Sequence, residues 1–339
     1  MEPVTHALTS IALARAMQKR LPLFGTAILI VSGVAADLDY LSYLAGPAAF
    51  LRFHRAVLHS LLGTSVLVFT IAAVFYRISR GFIVKSNLPR LSLLAAINLA
   101  SLGAVGHLAL DLTSGEAVHF LWPLRMSPAA WNLARNFDLW ILILLVAGLL
   151  LPGLLRLVSE EIGGRRDTDG LRRGAVITLL LMIAYLGTRG ILHQNAIDRL
   201  YSREYRGRAP VLAGAFPDSG SPFKWRGVVV TDATIEEVTV SVTPGAEFDT
   251  DRSQTHFKPQ RSGALDAGEQ TRTAALFLKY ARFPLASVYP FESGDRFELR
   301  DLQFAADDTS PVNILVRVDL DDTLRVEREQ FLYASTKNR

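Results

Sequence analysis

The chain has 339 residues, half of them hydrophobic, and a formal net charge of +4 at pH 7. The absence of cysteine excludes disulfides and thiolate metal sites, so any metal must be held by histidine and carboxylate. The basic residues fall in short loops without interleaved aromatics, which argues against a nucleic-acid binder.

Hydropathy divides the chain. Residues 1–194 hold long apolar runs and are read as a membrane domain, residues 195–222 as an amphipathic linker, and residues 223–339 as an extracytoplasmic β-rich domain. No cleavable leader is expected, because the start carries Glu2 and lacks a basic region.

In chain order, Thr5–Met17 and Leu23–Ala36 read as a short helical hairpin turning at Lys19, Arg20 and Pro22. Four longer runs follow, Val57–Ile78, Leu91–Thr113, Phe137–Val158 and Gly174–His193, each of about the 20 residues that a membrane-spanning helix needs. The expected fold is thus a polytopic α-helical bundle of four long spans plus the hairpin, followed by a soluble α+β domain with a mainly antiparallel sheet.

Charge sets the orientation. Arg15, Lys19 and Arg20, then Arg77, Arg80, Lys85 and Arg90, then Arg156, Arg165, Arg166, Arg172 and Arg173 form one family of loops. The alternate loops carry only Arg52 and Arg55, then Arg125 and Arg135. The positive-inside rule places the first set in the cytoplasm and the soluble domain outside. Trp122, Trp131 and Trp140 read as an outer interfacial belt, and His193 as interfacial.

Beyond the spans, "QNAIDRLYSREYRGRAP" reads as a helical linker along the membrane surface, and "APVLAGAFPDSGSPFKW" as a junction rich in proline, glycine and serine. "KWRGVVVTD", "TIEEVTVSV", "DRFELRDLQF", "VNILVRVDL" and "TLRVEREQF" alternate as strands do, with a hairpin turn at Asp321 and Asp322. "EQTRTAALFLKYARF" predicts the domain's one helix, and His256 reads as a surface residue. With no histidine cluster and no glycine-rich phosphate loop, this domain is not given the chemistry. Covering the site, binding a substrate or partner, and plain stability are equally open for it.

The ionisable residues of the membrane part collect at helix ends opposite the basic loops. They are His6, Asp37 and Asp39, His54 and His59, His107 and Asp111, and Asp138. His107 and Asp111 are four apart and share a helix face. Ionisable groups in hydrocarbon cost several kcal/mol unless paired or ligated. Histidine with carboxylate suits Zn²⁺, Mn²⁺ or Fe²⁺, and seven ligands suit two or more divalent ions rather than one tetrahedral zinc. Two metals about 3.5–4 Å apart clamp the attacking and leaving oxygens of a phosphoester. Arg55 beside His54 is a candidate phosphate contact or a snorkelling arginine.

The ordered motifs "VTHALTS", "GVAADLDYL", "FHRAVLHS", "GHLALDLTSGE" and "FLWPL" resemble the YdjM-like family of LexA-regulated, membrane-bound, metal-dependent hydrolases over about residues 1–145. The resemblance implies an inner-membrane enzyme whose metal residues are His6, Asp37, Asp39, His54, His59, His107 and Asp111. Ala36 stands where the family often has proline, a change that only loosens the turn. A longer stretch before "LWP" brings in His119, open as an extra ligand, a substrate contact or neither, the last being favoured. The H-x-x-x-D helix also looks like that of zinc-dependent phospholipase C. Arg55 is the expected catalytic cation, and Asp138 the residue expected to orient a ligating imidazole. A lipid or lipid-linked phosphoester at the outer face is the expected substrate, with the bilayer as partner and the oligomeric state left open. The alternative is an ion- or proton-coupled transporter, which intramembrane Asp and His would also serve.

Overall fold

The structure is a computed structural model that describes residues 1–18, 21–81, 89–125, 128–161, 169–246, 248–292, 294–304 and 313–333. Lys19, Arg20, Lys85, Arg165 and Arg166 of the expected basic loops lie outside the described residues. The helices are α1 (Pro3–Ala16), α2 (Gly25–Val34), α3 (Pro47–Phe53), α4 (Leu61–Gly81), α5 (Leu93–Thr113), α6 (Leu139–Glu161), α7 (Gly170–Tyr201), α8 (Gly263–Glu269) and α9 (Arg272–Leu278). The chain forms two compact units, one of Met1–Asp39 with Arg55–Ile191, the other of Tyr40–His54 with Leu192–Arg339.

The first unit is helical. Among the described residues five helical stretches are long and apolar enough to cross a membrane: Gly25–Ala45, α4, α5, α6 and α7. The first of these is α2 continued by the 3₁₀ helix Ala35–Ala45, so the second arm of the expected hairpin is longer than its apolar pattern suggested. Large apolar side chains such as Phe69, Leu94, Leu155 and Ile183 face outward on these helices, as lipid contact requires. One core joins α1, α2, α4 and α5 through Ala14, Ile28, Leu29, Ala72, Ala96 and Ala100. A second joins α1, α5, α6 and α7 through Ala12, Leu110, Ile141, Leu145 and Met182.

Small residues set the helix spacing, as is common where lipid offers no hydrophobic drive for association. A Cβ on Gly103 of α5 would stand 2.1 Å from Ser32 Oγ and 2.7 Å from the Leu29 carbonyl oxygen of α2. A Cβ on Gly148 of α6 would stand 1.7 Å from Thr178 Oγ1 of α7.

The second unit holds two four-stranded antiparallel sheets. One runs β1 (Leu212–Pro217), β2 (Lys224–Val230), β3 (Thr234–Ser241) and β4 (Gln254–Phe257); the other runs β5 (Pro284–Phe291), β6 (Gly294–Asp301), β7 (Ile314–Leu320) and β8 (Val326–Tyr333). The first packs on the last turns of α7, where Ala196 and Leu200 meet Trp225, Val229 and Val240. The second covers α8 and α9 with Phe297, Leu299, Val316 and Val318.

Two differences from the sequence reading have physical causes, and one expected turn is found where it was placed. The expected linker is largely structured, because nothing breaks α7 before Tyr201 and residues 212–217 pair as β1 with β2. The expected helix at 269–283 is the shorter α9, and a separate helix, α8, precedes it where none was expected, since Ser262 and Thr271 each cap a helix of their own through their hydroxyls. The hairpin at Asp321 is present, its carboxylate accepting from the Thr323 and Arg325 amides.

Candidate metal centre

The polar residues of the first unit meet at one end of its helices. His6 lies near the start of α1, Asp37 just past α2, His59 just before α4, and His107 and Asp111 in the last two turns of α5. This alternation of starts and ends is what consecutive antiparallel helices deliver to one side of a bundle. Asp37, Asp39, His6, His59, His107 and Asp111 are all buried, and His59 and Asp111 are fully so.

Asp111 is the hub. Its Oδ1 lies 3.3 Å from His6 Nε2 and 3.0 Å from Arg55 Nη2, and it also accepts from the Met1 amino group. Its Oδ2 lies 2.9 Å from His59 Nε2 and 3.2 Å from His107 Nε2. Those two Nε2 atoms are 3.1 Å apart. The His6 ring stacks on His107 with centroids 3.9 Å apart.

The opposite nitrogens of the two central rings are committed outward. His107 Nδ1 is 2.9 Å from the Gly33 carbonyl oxygen, and His59 Nδ1 is 2.9 Å from Asp39 Oδ2. Each acceptor orients its ring with Nδ1–H outward and Nε2 toward Asp111. In the neutral Nδ1–H tautomer two Nε2 lone pairs and a carboxylate oxygen would converge, a donor set that a bound cation satisfies.

Spacing and unpartnered atoms fit a metal. Ligand atoms about 2.1 Å from zinc stand about 3.4 Å apart in a tetrahedral shell, close to the separations seen here. Two buried groups could each hold an ion, His6 with His107 and Asp111, and Asp37 with His59 and His107, the chosen atoms of each lying within 4.8 Å of one another. His107 belongs to both. His6 Nδ1 and Asp37 Oδ2 are buried without a hydrogen-bond partner among the described residues, a costly state for polar atoms.

The other expected site residues fall as follows. Asp39 Oδ2 accepts the Arg55 backbone amide at 2.7 Å while backing His59, so its carboxylate stands behind an imidazole. His54 belongs to the second unit, where its ring stacks on Phe50 at 4.4 Å and tilts against Tyr40 at 4.5 Å. Arg55 has a positive φ of 52° and is nearly inaccessible. Besides Asp111, its guanidinium meets Glu116 at 3.2 Å and donates to Ser114 Oγ at 2.6 Å and the Glu116 carbonyl oxygen at 2.8 Å. Asp138 caps α6 by accepting from the Trp140 and Ile141 amides, and Tyr185 OH lies 3.3 Å from both its oxygens. His119 is buried, its amide donates to the Arg55 carbonyl oxygen at 2.9 Å, and burial pushes its imidazole below the ordinary histidine range.

Glu116 was missed by the sequence reading. It is buried, holds the guanidinium of Arg55 and accepts from Asn136 Nδ2. The available signal was its place in "LTSGE", a polar run directly after the helix that carries His107 and Asp111.

The profile of the YdjM inner membrane protein family matches residues 1–196, more than half of the chain, and the chain belongs to that family. Neither a curated protein nor a solved structure matches it.

Proposed function

We propose that this member of the YdjM inner membrane protein family is a metal-dependent hydrolase, a phosphoesterase acting on a lipid or lipid-linked substrate at the outer face of the membrane. The observation that carries the reading is the convergence of His59 Nε2 and His107 Nε2 on Asp111 Oδ2. His6, Asp37, His59, His107 and Asp111 would hold the ions, of which zinc fits the donor set best, with manganese or iron as substitutes. Bound divalent metals supply Lewis acidity and make water a competent nucleophile at neutral pH.

The chain's own residues set up that chemistry. Asp39 and the Gly33 carbonyl fix the tautomers and ring planes of His59 and His107. Arg55, itself held by Glu116, fixes the position of the Asp111 carboxylate. Placement at helix ends supports an interfacial reaction over a path through the midplane, where a proton- or ion-coupled transporter would gather its ionisable groups. Charge asymmetry at the helix ends, with Arg77 and Arg80 near the end of α4 and Arg90 just before α5, supports an extracytoplasmic site and soluble domain.

The test is to purify the protein in detergent and measure bound metal and phosphodiesterase activity, before and after chelation. His107→Ala and Asp111→Ala should each lose metal and activity together. Unchanged metal content in both variants would sink the assignment.

A further inference from the structure

The segment Tyr40–His54 departs from the membrane unit directly after Asp39 and ends directly before Arg55, yet it packs as part of the soluble unit. Its helix α3 carries Phe50, which is 1% exposed and lies in the same core as Ala264, Phe277, Phe297 and Val316. Tyr43 stacks on Tyr333 of β8 with ring centroids 4.5 Å apart, and Tyr333 OH donates to the Tyr43 carbonyl oxygen at 3.3 Å. The His54 ring lies nearly parallel to Phe50, at an interplanar angle of 16°. At the base of the segment the Arg55 amide donates to Asp39 Oδ2 at 2.7 Å, closing the excursion into a loop.

Both ends of that loop are residues of the candidate centre. Asp39 backs His59, and Arg55 holds Asp111. Two ligand-bearing stretches, Asp37–Asp39 and Arg55–His59, are therefore joined by a tether whose middle is fixed in another hydrophobic core. Burying a phenylalanine contributes about 1.5–3 kcal/mol, which offsets the ordering of one or two residues at about 1–2 kcal/mol each and so pins the segment at Phe50, with the Tyr43–Tyr333 and Phe50–His54 contacts adding to it. A stretch of fifteen residues with no anchor would leave its ends to find their spacing unaided.

We infer that the soluble unit sets the geometry of the centre through this loop, with Phe50 as a positioning residue whose burial fixes Asp39 relative to Arg55 and His59. That gives the C-terminal domain a regulatory handle. Whatever loosens or tightens its grip on Phe50, through a partner or a ligand on the second sheet, alters metal holding in the membrane unit. The inference rests on the proposed metal reading for its zinc measurements only.

The experiment compares full-length wild type, Phe50→Ala, Phe50→Leu and Tyr333→Ala in detergent. Amide hydrogen exchange is followed in zinc-stripped protein over peptides covering 33–41 and 53–62, and zinc affinity is measured separately by competition. Phe50→Ala should speed exchange of the Arg55 amide and weaken zinc binding about tenfold, the low end of the range for residues that orient ligands. Phe50→Leu should restore most of both, and Tyr333→Ala should shift both in the same direction by less. Should Phe50→Ala fail to fold, the other two variants decide. Wild-type exchange over 53–62 in variants whose soluble-unit peptides exchange faster would overturn the inference. A wild type that binds no zinc would overturn the metal reading, and the exchange measurement would still decide the coupling.

Discussion

Asp39 offers the sharpest test of how the centre is built. Its Oδ2 accepts the Arg55 amide at 2.7 Å and faces His59 Nδ1 at 2.9 Å, so one oxygen fixes both a backbone turn and an imidazole tautomer. Asparagine keeps an oxygen that can accept both bonds but removes the charge that raises the basicity of His59. Partners of this kind are worth about 10–100-fold in metal affinity, and loss of charge alone belongs near the lower end, about 1.4 kcal/mol. Alanine removes both bonds. Asp39→Ala should approach the hundredfold limit and also lower stability by about 1–3 kcal/mol, because the Arg55 amide is left buried without an acceptor. Zinc competition against a chromophoric chelator gives the affinities, and thermal melts in the same detergent give the stabilities. Asp39→Ala with wild-type affinity would refute the reasoning. So would Asp39→Asn losing one whole metal equivalent, which would make Asp39 a ligand in its own right.

Gly103→Ala should destabilise the membrane unit by about 1–3 kcal/mol, since the new Cβ would meet the backbone oxygen of Leu29 at 2.7 Å and α2 would have to yield. Bound metal should fall with it, because α2 leads into Asp37 and α5 carries His107; Gly187→Ala, which meets nothing within 4 Å, is the control for both melting temperature and metal content. In the soluble unit, burial opposes ionisation of Glu237, but its contacts with His256 and Arg226, both at 2.9 Å, hold its carboxyl below the usual range. A depressed folded-state value stabilises above the unfolded value of 4.5 and is lost as pH falls through the folded one. Stability of this unit by circular dichroism should therefore drop below about pH 4.5, and Glu237→Gln should flatten that drop; an identical slope in the variant would show the pair to be idle.

The parts of the centre that were readable in sequence are those fixed by local periodicity. His107 and Asp111 share a face because they are four apart on one helix, and both Nε2 and carboxylate duly meet at 3.2 Å. His6 and His59 could be placed at helix ends because apolar runs begin beside them. Between His54 and His59 no periodicity decides. The partners of His54 are the rings of Tyr40 and Phe50, and Phe50 is in turn held by residues from Ala264 onward, which no local pattern announces. The same non-local pairing hid β1 and β5. "LAGAFP" and "PLASVYPF" contain prolines and little alternation, and they become strands through antiparallel partners in β2 and β6. Glu116 was obscured because it sits in an irregular turn and is recognisable only once Arg55 is seen to point at it.

Arg55 changes most between sequence and structure, and the change bears on how an anionic substrate would be held. The expected phosphate cation spends its donors on Asp111, Glu116 and Ser114. Removing it would strand two buried carboxylates, a loss of about 3–5 kcal/mol for breaking a buried pair, so a variant at this position reports on folding before it reports on substrate. Four carboxylates, Asp37, Asp39, Asp111 and Glu116, are buried about the centre; the Arg55 guanidinium meets Asp111 and Glu116 and the Met1 amino group meets Asp111, leaving, with the imidazoles neutral, a formal excess of two negative charges. One divalent ion would neutralise that excess, and a second would make the centre cationic. On the proposed reading, attraction for a phosphoester therefore belongs to the second ion rather than to Arg55. Substrate binding should then vanish at a metal occupancy where the fold is still intact.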